Sequence, residues 1–322
     1  MSATPGGPSV AVVGAGAMGG VWAGHLARAG VRAILVDADP SVVGSIAAGG
    51  LRLGTPGGAW QTLAVPATDR PETVGPVDTV FFFVKAHQTA AAAAGVRALV
   101  GPATTVVTQQ NGWGSADVLA GAFSPERVVV GVTYHSARVE APGQIVHTAS
   151  GPSYVGPYLD GGDLGPATGV AALLSAAGLP AEATAAVKAE IWKKLILNTA
   201  TLPTSALTRL HTGPLGQPGA LLDLLDLLDG LAAESVRVAQ ALGYDVSLEE
   251  RLDRIHSLLQ GAGAGKSSML QDVEAKRKTE IEVINGAVVR AAGETGVAVP
   301  LNQALVALIG GLERAYLEGA SS

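Results

Sequence analysis

The sequence predicts an α/β protein with two domains: a doubly wound parallel sheet in the N-terminal half and an all-helical C-terminal half. Three observations carry this. The first half alternates apolar runs with helix-forming stretches in β-α-β order. A glycine-rich turn joins its first strand to its first helix. From about Ala183 onward the strand signal almost vanishes, and long stretches of helical periodicity take over, separated by Gly and Pro.

Taken in order, residues 9–13 form a short apolar strand, followed by the turn and an Ala-rich helix to about Ala29. Residues 31–36 read as a second strand closed by Asp37. Residues 77–84 are apolar almost throughout, as a strand buried on both faces must be. Residues 104–108 and 127–133 repeat that pattern, and Ala90 to Ala94 favour a helix. Near Pro142-Gly143 the pattern changes: residues 135–139 and 144–148 flank a turn and read as a hairpin at the sheet edge. Gly178-Leu179-Pro180 then interrupts the chain, which sets the predicted domains at 1–183 and 184–322. Residues 185–201, 220–242, 268–292 and 303–317 are expected to be helices. The thrice-repeated Leu-Leu-Asp of residues 221–229 fits an acidic helix start better than a repeat architecture.

The 322 residues suffice for two cores, and 48% hydrophobic with 15% charged residues is a globular composition. A net charge of −6 argues against nucleic acid as a partner. No apolar run reaches the roughly 18 residues of a membrane span, and the opening residues lack the basic and apolar regions of a secretory signal. A cytoplasmic protein without membrane partners is expected. With no cysteine, disulfides, thiolate metal sites and thiol nucleophiles are excluded; no metal is expected.

Gly14-Ala15-Gly16-Ala17-Met18-Gly19 fits G-x-G-x-x-G. In a chain with 43 glycines the spacing alone is weak, but here it comes after a strand and opens a helix, the context a dinucleotide site requires. Gly14 permits the turn, Gly16 lets main chain approach a pyrophosphate, and Gly19 lets helix and strand pack closely, with phosphates at the helix N-terminus. The N-terminal domain is therefore Rossmann-like. Asp37, at the end of the second strand, is placed to accept both adenosine ribose hydroxyls and to repel a 2′-phosphate, which favours NAD over NADP. Asp39 competes for that role from further along. Lys85 and Asn111 lie just past strand ends and are expected to point into the ligand crevice. His135, beside the hairpin, is more in keeping with a structural role.

In the helical half, Lys194 and Asn198 are four apart on one face, and Lys193 is rotated by about 100°. A lysine ammonium can polarise a carbonyl and protonate the alkoxide left by hydride addition. Periodicity alone does not choose between the two lysines. Ser268 with Gln271 fits a capping box at a helix start that could also bind a carboxylate. Within the helix expected over residues 268–292, Glu280 is in phase with Met269, Val273, Ile284 and Ala287, and so turned inward, in need of a partner such as Lys194.

These blocks together resemble the ketopantoate reductase family (2-dehydropantoate 2-reductases). The resemblance runs through Gly14 to Gly19, Val84-Lys85-Ala86-His87-Gln88, Gln110-Asn111-Gly112, Trp192-Lys193-Lys194-Leu195, and Ser267-Ser268-Met269-Leu270-Gln271-Asp272 on to Thr279-Glu280-Ile281 and Ile284-Asn285-Gly286. It implies reduction of a branched 2-oxo acid to the 2-hydroxy acid, usually with NADPH. It implies Lys194, rather than Lys193, as general acid, and Glu280 as the residue that touches the cofactor and orients that lysine. Asn198 and Ser268 would hold substrate; Lys85, Asn111 and the backbone of Ala137 would line cofactor or substrate.

Three departures stand out. Asp37 replaces a phosphate-binding arginine or neutral loop, strengthening the case for NADH; NADP(H) remains what the family implies. Leu202 and Gly265 stand where the family often has asparagines, which makes the pocket more apolar and alters selectivity. The expected activity is therefore ketopantoate reduction to pantoate, with two alternatives. One is the family's NAD-dependent D-2-hydroxyacid (mandelate-type) dehydrogenase activity; the other is a non-catalytic dinucleotide sensor, against which Lys194 and Glu280 both count. The long apolar helices would suit a homodimer.

Overall fold

The computed structural model describes residues 9–217, 224–261 and 265–319. Two compact units emerge: the described residues of Met1–Gln110 with Ser115–Val187, and Asn111–Gly114 with the described residues of Lys188–Ser322.

Among the described residues the strands, all in the first unit, are β1 (Ser9–Val13), β2 (Arg32–Val36), β3 (Leu51–Gly54), β4 (Gln61–Leu63), β5 (Ala67–Thr68), β6 (Thr79–Phe82), β7 (Thr105–Thr108), β8 (Val128–Thr133), β9 (Ser136–Ala141), β10 (Gln144–Ala149), β11 (Ser153–Pro157) and β12 (Ala181–Ala183). Eight of them form one sheet in the order β12-β11-β8-β7-β6-β1-β2-β5. It is parallel from β5 to β8, and β11 joins β8 antiparallel. β6 and β8 are buried at every position, as parallel strands covered on both faces must be. The chain builds outward from β1 through β2, then returns to the other side of β1 as β6. That reversal puts the ligand crevice of such a sheet at the carboxyl end of β1.

The hairpin β9–β10 does not lie at the edge of this sheet. It pairs with β3 and β4 in a second, four-stranded sheet. Glycine explains how both sheets share helix α1 (Ala17–Arg28). A Cβ on Gly20 would lie 2.6 Å from Ile145, and one on Gly24 3.1 Å from Leu53, so two bare positions one turn apart let the small sheet press against the helix. Helices α2 (Pro40–Gly49), α3 (Thr89–Gly95), α4 (Ser115–Ala122) and α5 (Gly165–Ala176) complete the unit.

The second unit is helical: α6 (Val187–Thr208), α7 (Leu224–Ala241), α8 (Leu248–Gly261), α9 (Ser268–Glu274), α10 (Asn285–Thr295) and α11 (Pro300–Leu317). Trp192, Leu231, Ile255, Val288 and Ile309 meet in its core. The start of the helix expected at 220 and part of the Leu-Leu-Asp repeat lie outside the described residues. The helix expected over 268–292 is not continuous. Lys276 adopts a left-handed conformation (φ 53°), the Arg277 N–H closes onto the Asp272 carbonyl at 2.8 Å, and a strap without regular secondary structure leads to a 3-10 turn, Ile281–Val283, before α10 begins.

Helix α6 runs through Pro203, seven residues past the end expected from the sequence. Proline has no N–H for the carbonyl four residues earlier, that of Thr199. The side-chain amide of Asn285 donates to that carbonyl instead, at 3.0 Å, and also to Asn302 Oδ1 at 3.0 Å. Asn302 in turn donates to the buried carboxylate of Glu234 at 2.8 Å.

Candidate functional site

In the first unit the glycine turn is held by main chain. The Gly14 N–H donates to the Val36 carbonyl, and at φ 99° a Cβ there would sit 2.9 Å from the backbone of Phe83 and Val84. A Cβ on Gly19 would fall 1.9 Å from the Gly14 carbonyl oxygen. Both glycines are thus required by the protein itself. Gly16 differs: it is exposed, and a Cβ on it would meet nothing within 4 Å. It is the N-cap of α1, and no side chain caps that helix. Open space over uncapped N–H groups fits a dinucleotide pyrophosphate. Ala15 is buried, while Ala17 and Met18 in the first turn of α1 are half-buried.

Asp37 is half-buried at the end of β2. Its Oδ2 accepts the Ala15 N–H at 2.7 Å and its Oδ1 the Asp39 N–H at 3.0 Å, so the carboxylate is fixed beside the glycine turn with lone pairs to spare. Asp39 is engaged elsewhere: it caps α2 by accepting the Ser41 N–H at 2.8 Å. Lys85, half-buried, lies just past β6, and its N–H donates to Gln88 Oε1 at 3.3 Å. Gln110 ties the ends of β6 and β7 by donating to the Val84 carbonyl (2.6 Å) and Thr89 Oγ1 (2.9 Å). Ala137 lies on β9, half-buried. His135 is buried, with its Nδ1 2.9 Å from His147 Nε2 and its ring stacked on that of His147.

In the second unit the segment Asn111–Gly114 meets α6. The Lys194 ammonium donates to Asn111 Oδ1 at 2.8 Å. Burial pulls the amine down from 10.5 to about 8, and the charge of Glu280 opposes that fall. Lys193 instead pairs with Glu190 at 2.7 Å, so geometry separates the two lysines that periodicity could not. Asn111 is fixed by its two C-terminal neighbours. Gly112 (φ 86°) passes so close to the Val283 carbonyl oxygen that a Cβ would lie 2.3 Å from it; the Trp113 N–H donates to that same oxygen at 2.8 Å. The Trp113 ring packs against Trp192 and Tyr244, with centroids 5.8 and 6.2 Å away. Asn198 is buried one turn beyond Lys194, and Leu202, a further turn on, packs against the core.

Three expectations need correction. Glu280 owes its position to no helical phase; it begins the 3-10 turn after the strap, half-buried. The helix start at 268 is capped by Ser267, whose Oγ accepts the Leu270 N–H and donates to Ser205 Oγ, both at 3.1 Å; Ser268 is exposed. Asn111, expected with the first domain because it comes after β7, packs with the helical unit. Gly265 is exposed, and its carbonyl accepts from Thr212. Among the described residues no cluster of three metal-capable side chains occurs and no helix is long and apolar enough to cross a membrane.

An open glycine turn on a doubly wound sheet, followed by a helical unit with a desolvated lysine, defines a dinucleotide-fold protein with a helical partner domain. Residues 10–160 match the family model described as ketopantoate reductase PanE/ApbA, and residues 186–313 match its C-terminal counterpart. The chain belongs to the ketopantoate reductase family. It is 32% identical to the 2-dehydropantoate 2-reductase of Halobacterium salinarum, over 93% of this chain and 97% of that one. Among solved structures, a ketopantoate reductase of the family from Ralstonia eutropha is 32% identical with a TM-score of 0.84, covering 96% of this chain and 99% of that one. A D-mandelate dehydrogenase solved with NADH and anilino(oxo)acetate is 26% identical with a TM-score of 0.90 over the same shares.

Proposed function

We propose that this protein is an NAD(P)H-dependent reductase of a 2-oxo acid, with 2-dehydropantoate the leading substrate, as the names of its relatives indicate. The observation that carries the reading is the Lys194 amine: desolvated, held on Asn111 Oδ1, and balanced by Glu280 so that it titrates near 8. A general acid is most effective when its pKa lies near the working pH, and this ammonium can both polarise a carbonyl oxygen and hand it a proton. Residues 1–183 would bind the dinucleotide and 184–322 the substrate.

The dinucleotide, when bound, supplies the hydride. The open main chain at Gly16, with Ala15, Ala17 and Met18 beside it, would take the pyrophosphate between the structural glycines Gly14 and Gly19. Asp37 would accept the ribose hydroxyls; its fixed negative charge favours NADH over NADPH. Lys85 and the Ala137 backbone would line the cofactor, along with Asn111 and Glu280. Asn111 and Asn198 would orient the substrate, and Ser268, next to the helix cap, would meet its carboxylate.

A second reading has an observation of its own. Leu202 shares the stripe of α6 that carries Lys194 and Asn198 and would give the substrate side an apolar wall where the family often has an asparagine, and the D-mandelate dehydrogenase superposes with the higher TM-score. An apolar 2-oxo acid would then be preferred. A panel of 2-oxo acids, including ketopantoate and phenylglyoxylate, each assayed with NADH and NADPH, tests both. Turnover of ketopantoate above the others supports the first reading, and turnover of phenylglyoxylate above ketopantoate supports the second. No turnover of any acid overturns both.

A further inference from the structure

Glu280 reaches its place without the support of a regular helix, so something else must hold the strap that carries it. Residues 277–280 are pinned to α11 at two points. The Thr279 N–H donates to Glu313 Oε1 at 2.6 Å, and both residues are buried. The Tyr316 hydroxyl donates to the Arg277 carbonyl at 2.7 Å. Glu313 and Tyr316 are three apart on α11 and therefore share a face. Thr279 adds a local bond: its Oγ1 accepts the Ile281 N–H at 3.2 Å, starting the 3-10 turn right after Glu280. The other charges on the strap look elsewhere. Arg277 pairs with Asp272 at 3.1 Å, and Lys278 with Glu282 at 3.3 Å. Tyr316 is pushed up to about 12 by burial first and by the charges of Glu313 and Asp272, with Arg209 opposing, so it stays a hydroxyl donor throughout the working range.

We propose that Glu313 is a positioning residue for the proton-donating pair: by accepting the Thr279 N–H, with Tyr316 as a second pin, it fixes the strap that presents Glu280 to Lys194. This rests on the proposed reductase reading. A carboxylate is needed only as an acceptor, so glutamine can serve, whereas a side chain of similar length without an acceptor cannot. Freed of its anchor, Glu280 moves from the lysine, and the amine loses the neighbouring charge that keeps it from falling further.

The test compares wild type with Glu313→Met, Glu313→Gln and Tyr316→Phe. Two quantities are read: the pH dependence of kcat, and the midpoint of the Lys194 amine by NMR on lysine-labelled protein, assigned with Lys194→Met. In Glu313→Met, kcat is expected to fall about tenfold or more. Its alkaline limb and the amine midpoint should both move to lower pH by roughly half a unit or more. Glu313→Gln should restore both. Tyr316→Phe should shift the midpoint the same way by less, and it carries the test should Glu313→Met not fold. A folded Glu313→Met with the wild-type midpoint overturns the proposal, as does Glu313→Gln behaving like Glu313→Met. If wild type reduces no 2-oxo acid, the functional reading falls, while the NMR midpoint still decides whether Glu313 sets the lysine.

Discussion

The two units place the atoms of the proposed site by opposite means. In the first, the site is main chain: a turn whose shape is set by Gly14 and Gly19, with Asp37 tied to it through the Ala15 N–H and steadied from its own side by the Asp39 N–H. In the second it is side chain, an amine whose partners Asn111 and Glu280 arrive from segments far apart in sequence and are held by further bonds through Val283 and Glu313. A main-chain site tolerates most changes of side chain but few changes of shape. A side-chain site can fail at any link.

The largest expected effect tests the side-chain site. Lys194→Ala should lower kcat on the order of 10²-fold or more in steady-state assays, with dinucleotide affinity by calorimetry nearly unchanged. Parallel loss of both would break the division of labour between the units. Next come the glycines. Gly19→Ala puts a Cβ 1.9 Å from the Gly14 oxygen and should cost about 3 kcal/mol in urea unfolding, or prevent folding altogether. Gly16→Ala meets no protein atom and has a negative φ, so stability should change by less than ~1 kcal/mol. Its dinucleotide Kd should nevertheless rise about tenfold. Equal effects from the two substitutions would mean the turn is only structural.

The pH dependence sharpens the contrast within the lysine itself. Carbonyl reduction needs the ammonium, so kcat should fall as pH rises through about 8. Stability should move the other way. The folded amine loses its proton near 8 and the unfolded one near 10.5, so between these values the unfolded chain binds more protons and the lysine's contribution to stability rises with pH. Urea midpoints of wild type and Lys194→Met across that window check it; a contribution that falls would contradict a desolvated amine. The smallest effects separate the two aspartates. Asp39→Ala should lower the urea midpoint slightly through loss of the α2 cap and leave cofactor preference alone. Asp37→Ala should narrow the preference for NADH over NADPH, and a native preference for NADPH would overturn the role given to Asp37.

The same contrast explains how far the sequence is legible. The glycine turn, Asp37 and the five central strands can be read from local spacing, because a main-chain site is written in consecutive residues. The short strands β3, β4, β5 and β12 carry too few residues to show a period, and three of the four lie at sheet edges. Helix α8 has Leu252, Ile255 and Leu259 at helical spacing, but its charged residues mask the stripe. On the lysine side, Lys194 and Asn198 share a face by simple periodicity. Glu280 is turned inward on paper by a helical phase the chain does not have, since nothing in residues 275–284 signals the left-handed turn at Lys276. Glu313 is invisible to local reading, because its bond to Thr279 spans 34 residues.

Helix α6, which carries the proposed acid, cannot complete its own hydrogen bonding. Proline at 203 leaves the Thr199 carbonyl dependent on an amide borrowed from Asn285, which is itself oriented by Asn302 and Glu234. The two positions are consequently a matched pair. Losing the asparagine strands a carbonyl, and an alanine in place of the proline would supply the missing donor and make the loan redundant. A change at 285 should therefore cost less in a chain that has also given up its proline, the remaining cost being the donor that Asn302 Oδ1 loses.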